Sequence, residues 1–200
     1  MNNAATDGKK KGSRALTIAI EMAVVLVAIL IGFAIRYGVY YTAIVTSESM
    51  EPTLQVNDRM LVDHRASLSA TWKRGDTVLF KIPDTWKKSS ADEQDQADGI
   101  ELVKRVTGLP GESIEVSNEG VWVAGKKLDE PYLKEKMDTP PVKIVLGEKQ
   151  YFLMGDNRNN SDDSRANGPV DNNDILGRAV RIVGPLGRLG AVPRPAYNLN

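Results

Sequence analysis

Residues 15 to 35, "ALTIAIEMAVVLVAILIGFAI", are apolar apart from Thr17 and Glu21. The apolarity is nearly continuous and lacks the one-sided stripe of a soluble amphipathic helix. At 1.5 Å per residue, the 21 residues form a helix about 31 Å long, which matches a hydrocarbon core. The pattern predicts a transmembrane anchor over 15–40. Glu21 lies close to one headgroup layer, where a carboxylate is tolerated, and Tyr37, Tyr40 and Tyr41 lie at the opposite interface, where amphipathic rings collect. Beyond the anchor the period changes from continuous to alternating. "RMLVDH", "DTVLFKI", "IELVKRVTG", "SIEVSN", "GVWVAG", "KQYFLMG" and "GRAVRIVG" are rich in branched and aromatic residues and bounded by Gly, Pro, Asn or Asp, so each predicts a short strand. "SNEG" and "AGKK" read as hairpin turns. The expected fold is mainly β, an antiparallel domain over 41–200 carrying one N-terminal helix. Residues 84–99, "DTWKKSSADEQDQADG", have little to bury and read as a variable surface loop. "MDTPPVK" reads as a second loop and "GAVPRPAYNLN" as an irregular tail.

Charge orients this arrangement. Lys9, Lys10, Lys11 and Arg14 face a single acid, Asp7, in the basic tail 1–14, and no Lys or Arg occurs between Tyr37 and Asp58. The positive-inside rule places the tail in the cytoplasm and residues 41–200 outside, at a cell membrane crossed once. A cleaved secretory leader is the rival reading. Against it, the apolar run exceeds an ordinary leader core and continues into Arg36 and aromatics. From Tyr37 onward, 21 Lys and Arg meet 24 Asp and Glu, and the whole chain is neutral, which speaks against a nucleic-acid partner. The chain has no cysteine and one histidine. Disulfides, thiolate catalysis and cysteine metal sites are excluded, and a histidine-based metal centre has no ligand set.

Two places carry candidate chemistry. "TSESMEPTL", residues 46–54, sets Ser47 and Ser49 one residue apart, and a serine nucleophile needs a base. His64, in "LVDHRAS", sits in no recognisable motif. In "IELVKRV", strand alternation puts Leu102, Lys104 and Val106 on one face and Glu101, Val103 and Arg105 on the other. A lysine on the more apolar face is either a desolvated amine able to act as a base or a side chain that snorkels its charge past an apolar rim. The strand by itself leaves both open.

With "SESMEPTL", "VKRVTGLPGE" and "MGDNRNNSDDSR" in view, the chain resembles the bacterial type I signal peptidases, membrane-bound Ser-Lys endopeptidases. "RGDTVLF" and "GKKLDEPYL" resemble further segments of that family, and the resemblance covers roughly Ile44 to Tyr197. The single anchor and modest size are similar to the Gram-positive branch. The resemblance implies Ser49 as nucleophile, Lys104 as general base, and Ser161 as the hydroxyl that orients the lysine amine. It implies Asp163 and Arg165 as structural supports, paired near the site, and Ser47 as an oxyanion-hole hydroxyl. It also implies secretory preproteins as substrates, the lipid bilayer as support, cutting after small residues, and no cofactor, metal or obligate partner. Ile44, Val45 and Val103 are candidates for the pockets that receive those small residues. Three features depart from the family pattern: Glu48 stands between the serines, Thr107 replaces a bulkier apolar residue, and the 84–99 loop is longer than typical.

Other readings compete. A self-cleaving Ser-Lys repressor shares the dyad but requires a DNA-binding domain and no anchor. A catalytically silent membrane-anchored scaffold requires neither serine nor lysine. "DNRNNSDDS" is not an EF-hand loop, because Arg158 occupies a ligand position, Ser161 stands where the glycine belongs and no Glu closes it.

Overall fold

The computed structural model describes residues 4–68, 71–86, 100–195 and 197. Two compact units result, Met1–Val39 and Tyr40–Asn200. The first is a single helix, α1 (Ala4–Val39), whose Leu16–Phe33 stretch is long and apolar enough to cross a membrane and exposes every residue. It takes in basic residues assigned to the tail and stops one residue before Tyr40, which already belongs to a strand.

The second unit is built from antiparallel strands in two sheets. The larger has the order β1 (Tyr40–Ile44), β2 (Arg59–Asp63), β11 (Ile175–Gly184), β3 (Thr77–Lys81), β4 (Glu101–Gly108), β9 (Gln150–Met154), β10 (Val170–Asp171), with β12 (Gly190–Ala191) paired to β11. The smaller has the order β7 (Lys126–Lys127), β6 (Gly120–Val123), β5 (Ser113–Ser117), β8 (Val142–Val145). Short helices α2 (Arg65–Leu68) and α3 (Ser164–Asn167) punctuate the connections. All seven expected strands form, and both expected hairpins close: Ser117 pairs with Gly120, and Val123 with Lys126. The second turn needs positive φ at Ala124 (49°) and Gly125 (78°); glycine supplies it without strain at 125, while Ala124 takes it at a steric cost. The last two residues of the expected proline loop, Val142 and Lys143, instead open β8, "VKIV", which forms one edge of the small sheet.

Packing is strongest where the large sheet is covered on both sides. On β3, Val78 and Phe80 join Trp72, Val106, Leu153 and Ile175 in one cluster, whereas Leu79 joins Met50, Leu54, Met60 and Val62 in another. The small sheet packs Ile114, Val116, Val121 and Val123 onto Phe152 and Met154 of β9. This double coverage corrects the alternation reading of β4. Lys104 is buried as expected, but Arg105, grouped with exposed Glu101, is 0% exposed. The expected irregular tail is anchored: Tyr197 packs against the small-sheet cluster and its hydroxyl meets that of Tyr132 at 2.8 Å. Of the expected loop 84–99, residues 87–99 lie outside the described part of the chain.

Candidate active site

Ser49 sits in a 3-10 turn, Glu48–Met50, that follows β1. Met50 and Leu54 are buried and fasten this turn to the core, and Leu54 N–H donates to the Met50 carbonyl at 2.9 Å. A second clamp comes from the loop after β9. Asn157 N–H donates to the Ser49 carbonyl at 3.0 Å, and its side-chain amide donates to the Glu48 carbonyl at 3.2 Å. Gly155 makes this approach possible, because a Cβ there would collide with the Ser161 hydroxyl and the Ser49 carbonyl oxygen. Glycine is required by contact here, not by backbone angle.

Lys104 comes from the middle of β4, held by pairing to Val78 of β3. Its Nζ lies 2.6 Å from Ser49 Oγ, and the residue is 2% exposed. Burial pushes the amine pKa down from 10.5 to about 8. The carboxylates of Asp163, Asp162 and Asp156 oppose that shift, and the Arg165 guanidinium adds to it. The snorkelling alternative is thus not what the fold adopts, since the amine stays inside against the serine hydroxyl. Ser47 Oγ lies 3.2 Å from Ser49 Oγ with its residue exposed, so a second hydroxyl borders that of Ser49.

The three residues of the last motif come together, in a different arrangement from the one the resemblance implies for Ser161. Asp163 caps α3 and accepts from Arg165 N–H. Its carboxylate also accepts from Arg165 Nε at 2.8 Å, from Gly155 N–H at 3.0 Å and from Ser161 Oγ at 2.7 Å. Arg165 beside it holds the Asp163 carboxyl below the usual range despite burial, which acts the other way. The Ser161 hydroxyl is therefore directed at Asp163, and among the described residues no hydrogen bond joins it to Lys104.

Strand alternation missed a second ion pair directly behind the site. Arg105 binds Asp156 through Nε at 2.8 Å and through a terminal nitrogen at 2.6 Å, and a guanidinium N–H reaches Thr53 Oγ1 at 3.2 Å. The guanidinium also lies 4.8 Å from the Tyr132 ring centre and donates to the Gly75 carbonyl at 2.8 Å. Arg105 follows Lys104, Thr53 follows Ser49 by four residues, and Asp156 precedes the clamp residue Asn157. One buried pair thus joins all three segments. Further back, Arg158 makes a two-pronged contact with Glu130 at 2.6 and 2.9 Å. The sequence signal was proximity alone, since each of these residues stands inside or next to a quoted motif.

Two hollows meet at the serine. The smaller, about 400 Å³, runs between Tyr41–Ile44 of β1 and Glu101–Val103 of β4. Among the described residues β1 pairs only with β2, and β4 pairs with β9 only from Arg105 onward. Both walls of this hollow are therefore unpaired strand edges. Of the three candidate pocket residues, Ile44 and Val103 line this hollow, while Val45 is buried in the core. The larger hollow, about 1000 Å³, is lined by Lys104 and walled by Ile82, Trp86 and Ile100. His64 lies elsewhere, its ring bonded to the Leu176 carbonyl at 2.7 Å. Among the described residues no three His, Asp or Glu side chains cluster closely enough to hold a metal.

Comparison with known proteins identifies the family. Residues 18–183 match the family described as signal peptidase, peptidase S26. Signal peptidase I of Leptolyngbya laminosa is 36% identical over 154 residues, covering 76% of this chain and 73% of that protein. Signal peptidase I U of Bacillus subtilis is 33% identical over 160 residues, covering 75% of this chain and 79% of that one. A Synechocystis sp. protein named "Probable signal peptidase I-2" is 38% identical over 148 residues, covering 73% of this chain and 64% of the relative's length. The chain belongs to the signal peptidase family, peptidase S26.

Proposed function

We infer that the protein is a membrane-anchored signal peptidase I, a serine endopeptidase that removes N-terminal signal peptides from secreted preproteins after small residues. Ser49 is its nucleophile and Lys104 its general base. The observation that carries this reading is the 2.6 Å approach of a desolvated lysine amine to a serine hydroxyl at the meeting point of two hollows.

The proposed steps are those of a serine activated by a neutral lysine. Neutral Lys104 accepts the Ser49 proton as Oγ attacks the scissile carbonyl. Charge develops on the carbonyl oxygen beside Ser47, whose hydroxyl, with the Ser49 N–H, stabilises it by about 3–4 kcal/mol per well-placed donor. The C–N bond breaks as the ammonium of Lys104 returns the proton to the leaving nitrogen. Water, deprotonated by the same amine, then attacks the acyl-enzyme and frees Ser49. Asp163 acts on Lys104 through its charge, and Ser161 and Arg165 hold Asp163 in place. The two unpaired edges suit an extended peptide lying between them as an added strand, with backbone hydrogen bonds for affinity and shallow niches near Ile44 and Val103 for small side chains.

The anchor supplies position. Helix α1 crosses the bilayer with its basic end in the cytoplasm, and Ser49 follows Arg36 by thirteen residues, at most about 43 Å of extended chain. A substrate tethered by its own apolar segment is presented at high local concentration. The test is cleavage of a membrane-reconstituted preprotein by the wild type, Ser49→Ala and Lys104→Met, each verified as folded. Cutting after a small residue by the wild type alone supports the reading. Near-normal activity in Lys104→Met removes the base assignment, and a folded wild type that never cuts leaves a silent scaffold.

A further inference from the structure

Thr46, Ser47, Ser49 and Leu102 line both hollows, whereas Lys104 lines only the larger one. If the dyad works as above, Lys104 must hand its proton to the leaving nitrogen, so the half of the substrate that departs lies on the side Nζ opens onto. The smaller hollow, between the strand edges, then holds the residues before the cut. We propose that the larger hollow receives the first residues of the mature chain, and that Glu48 and Asp162 set its preference, favouring basic side chains just after the cut and disfavouring acidic ones. The inference rests on the Ser-Lys peptidase reading.

The wall chemistry carries the preference. Glu48 and Asp162 are both exposed on this hollow. The Asn160 amide donates to the Glu48 carboxylate at 3.2 Å, and the Asn167 amide to that of Asp162 at 2.5 Å. These amides fix both carboxylates without neutralising them, and among the described residues neither carboxylate forms a salt bridge. Nearby Arg165 and Arg158 line a different groove and are committed to Asp163 and Glu130. The one cation of this wall, among the described residues, is Lys104, which works as a neutral amine. The working site therefore presents two uncompensated negative charges to the departing chain. They also attract the new α-amino group once it gains a proton. Ile82, Trp86 and Ile100 offer an apolar surface for the stems of Lys or Arg.

The test uses the full chain in detergent micelles and one preprotein with a fixed signal segment. Lys or Glu is placed in turn at each of the first three positions after the cut. The readout is the ratio of kcat/KM for the Lys and Glu substrates at one pH, so a general shift in Lys104 titration cancels. At low salt the wild-type ratio should be about tenfold at one or more positions, falling toward one near 0.5 M salt. In a Glu48→Gln/Asp162→Asn double variant the ratio should collapse toward one at low salt. A wild-type ratio at or below one, or a ratio unmoved by the double variant, overturns the proposal. If Lys and Glu substrates are both cut at equal rates, only the preference falls and the peptidase reading stands. If a folded wild type cuts neither, both fall.

Discussion

On the proposed mechanism Lys104 must be neutral to work, which ties activity to a pKa that burial lowers. Burial lowers Lys104 from 10.5 to about 8. The difference corresponds to ~3.4 kcal/mol at 1.36 kcal/mol per unit. At pH 7 roughly 10% of Lys104 is then neutral, against about 0.03% for an unperturbed amine, a gain of ~300-fold in usable base. The assay is the pH dependence of kcat/KM for a micellar preprotein. It should rise about tenfold per unit below pH 8 and flatten above, with an apparent pKa near 8. The informative perturbation is Asp163→Asn. The Asp163 carboxylate is the largest of the charges that raise the lysine pKa, and Arg165 pushes it the other way. Removing the carboxylate leaves the guanidinium unopposed, so both changes move the midpoint toward acid. The midpoint is readable even if the variant is less active. A wild-type midpoint at or above about 10, or a basic shift in Asp163→Asn, refutes the reasoning. So does an acid limb that vanishes in His64→Gln, since the chain's one histidine would then be the base.

The same pKa makes a stability prediction. Between about pH 8 and 10.5 the unfolded lysine holds a proton that the folded one does not, so wild-type stability should rise with pH relative to Lys104→Met, by up to ~3 kcal/mol; parallel denaturant curves would exclude a buried neutral amine. Gly155→Ala forces a methyl onto the Ser161 hydroxyl and the Ser49 carbonyl. It should cost about 1–3 kcal/mol and at least a hundredfold in kcat, read by urea melts and turnover. Asp156→Ala strands the fully buried Arg105 and should lose about 3–5 kcal/mol, whereas an Arg105→Met/Asp156→Leu double variant should recover much of that in thermal melts.

Strand identity was legible because β-branched and aromatic runs are bounded by turn residues. The Ser49–Lys104 contact was legible through motif resemblance, which supplied a partner for Ser49 that alternation alone had not decided. Arg105 was not, because two-sided burial of the inner half of β4 removes the polar face on which the alternation argument depends. A guanidinium that finds a carboxylate 51 residues later in the sequence leaves no local trace. β1 was hidden for a different reason: "YYTAI" continues an apolar run, and only pairing with Arg59–Asp63 turns it into an edge. For Ser161 the resemblance selected the right neighbourhood, while its hydrogen bond depends on a carboxylate two residues on.

The unpaired edges of β1 and β4 have a consequence for timing. A chain laid between them must offer its own backbone amides and carbonyls on both sides, so a segment already committed to a sheet or helix cannot enter. On the proposed function, the catalytic body would thereby discriminate by the state of its substrate as well as by side chain. A secreted domain whose first strand is sealed into its own fold is out of reach, and one still emerging is not. Processing is thus set in a race against the passenger's folding, and the length of slack chain after the cut decides how long that race stays open.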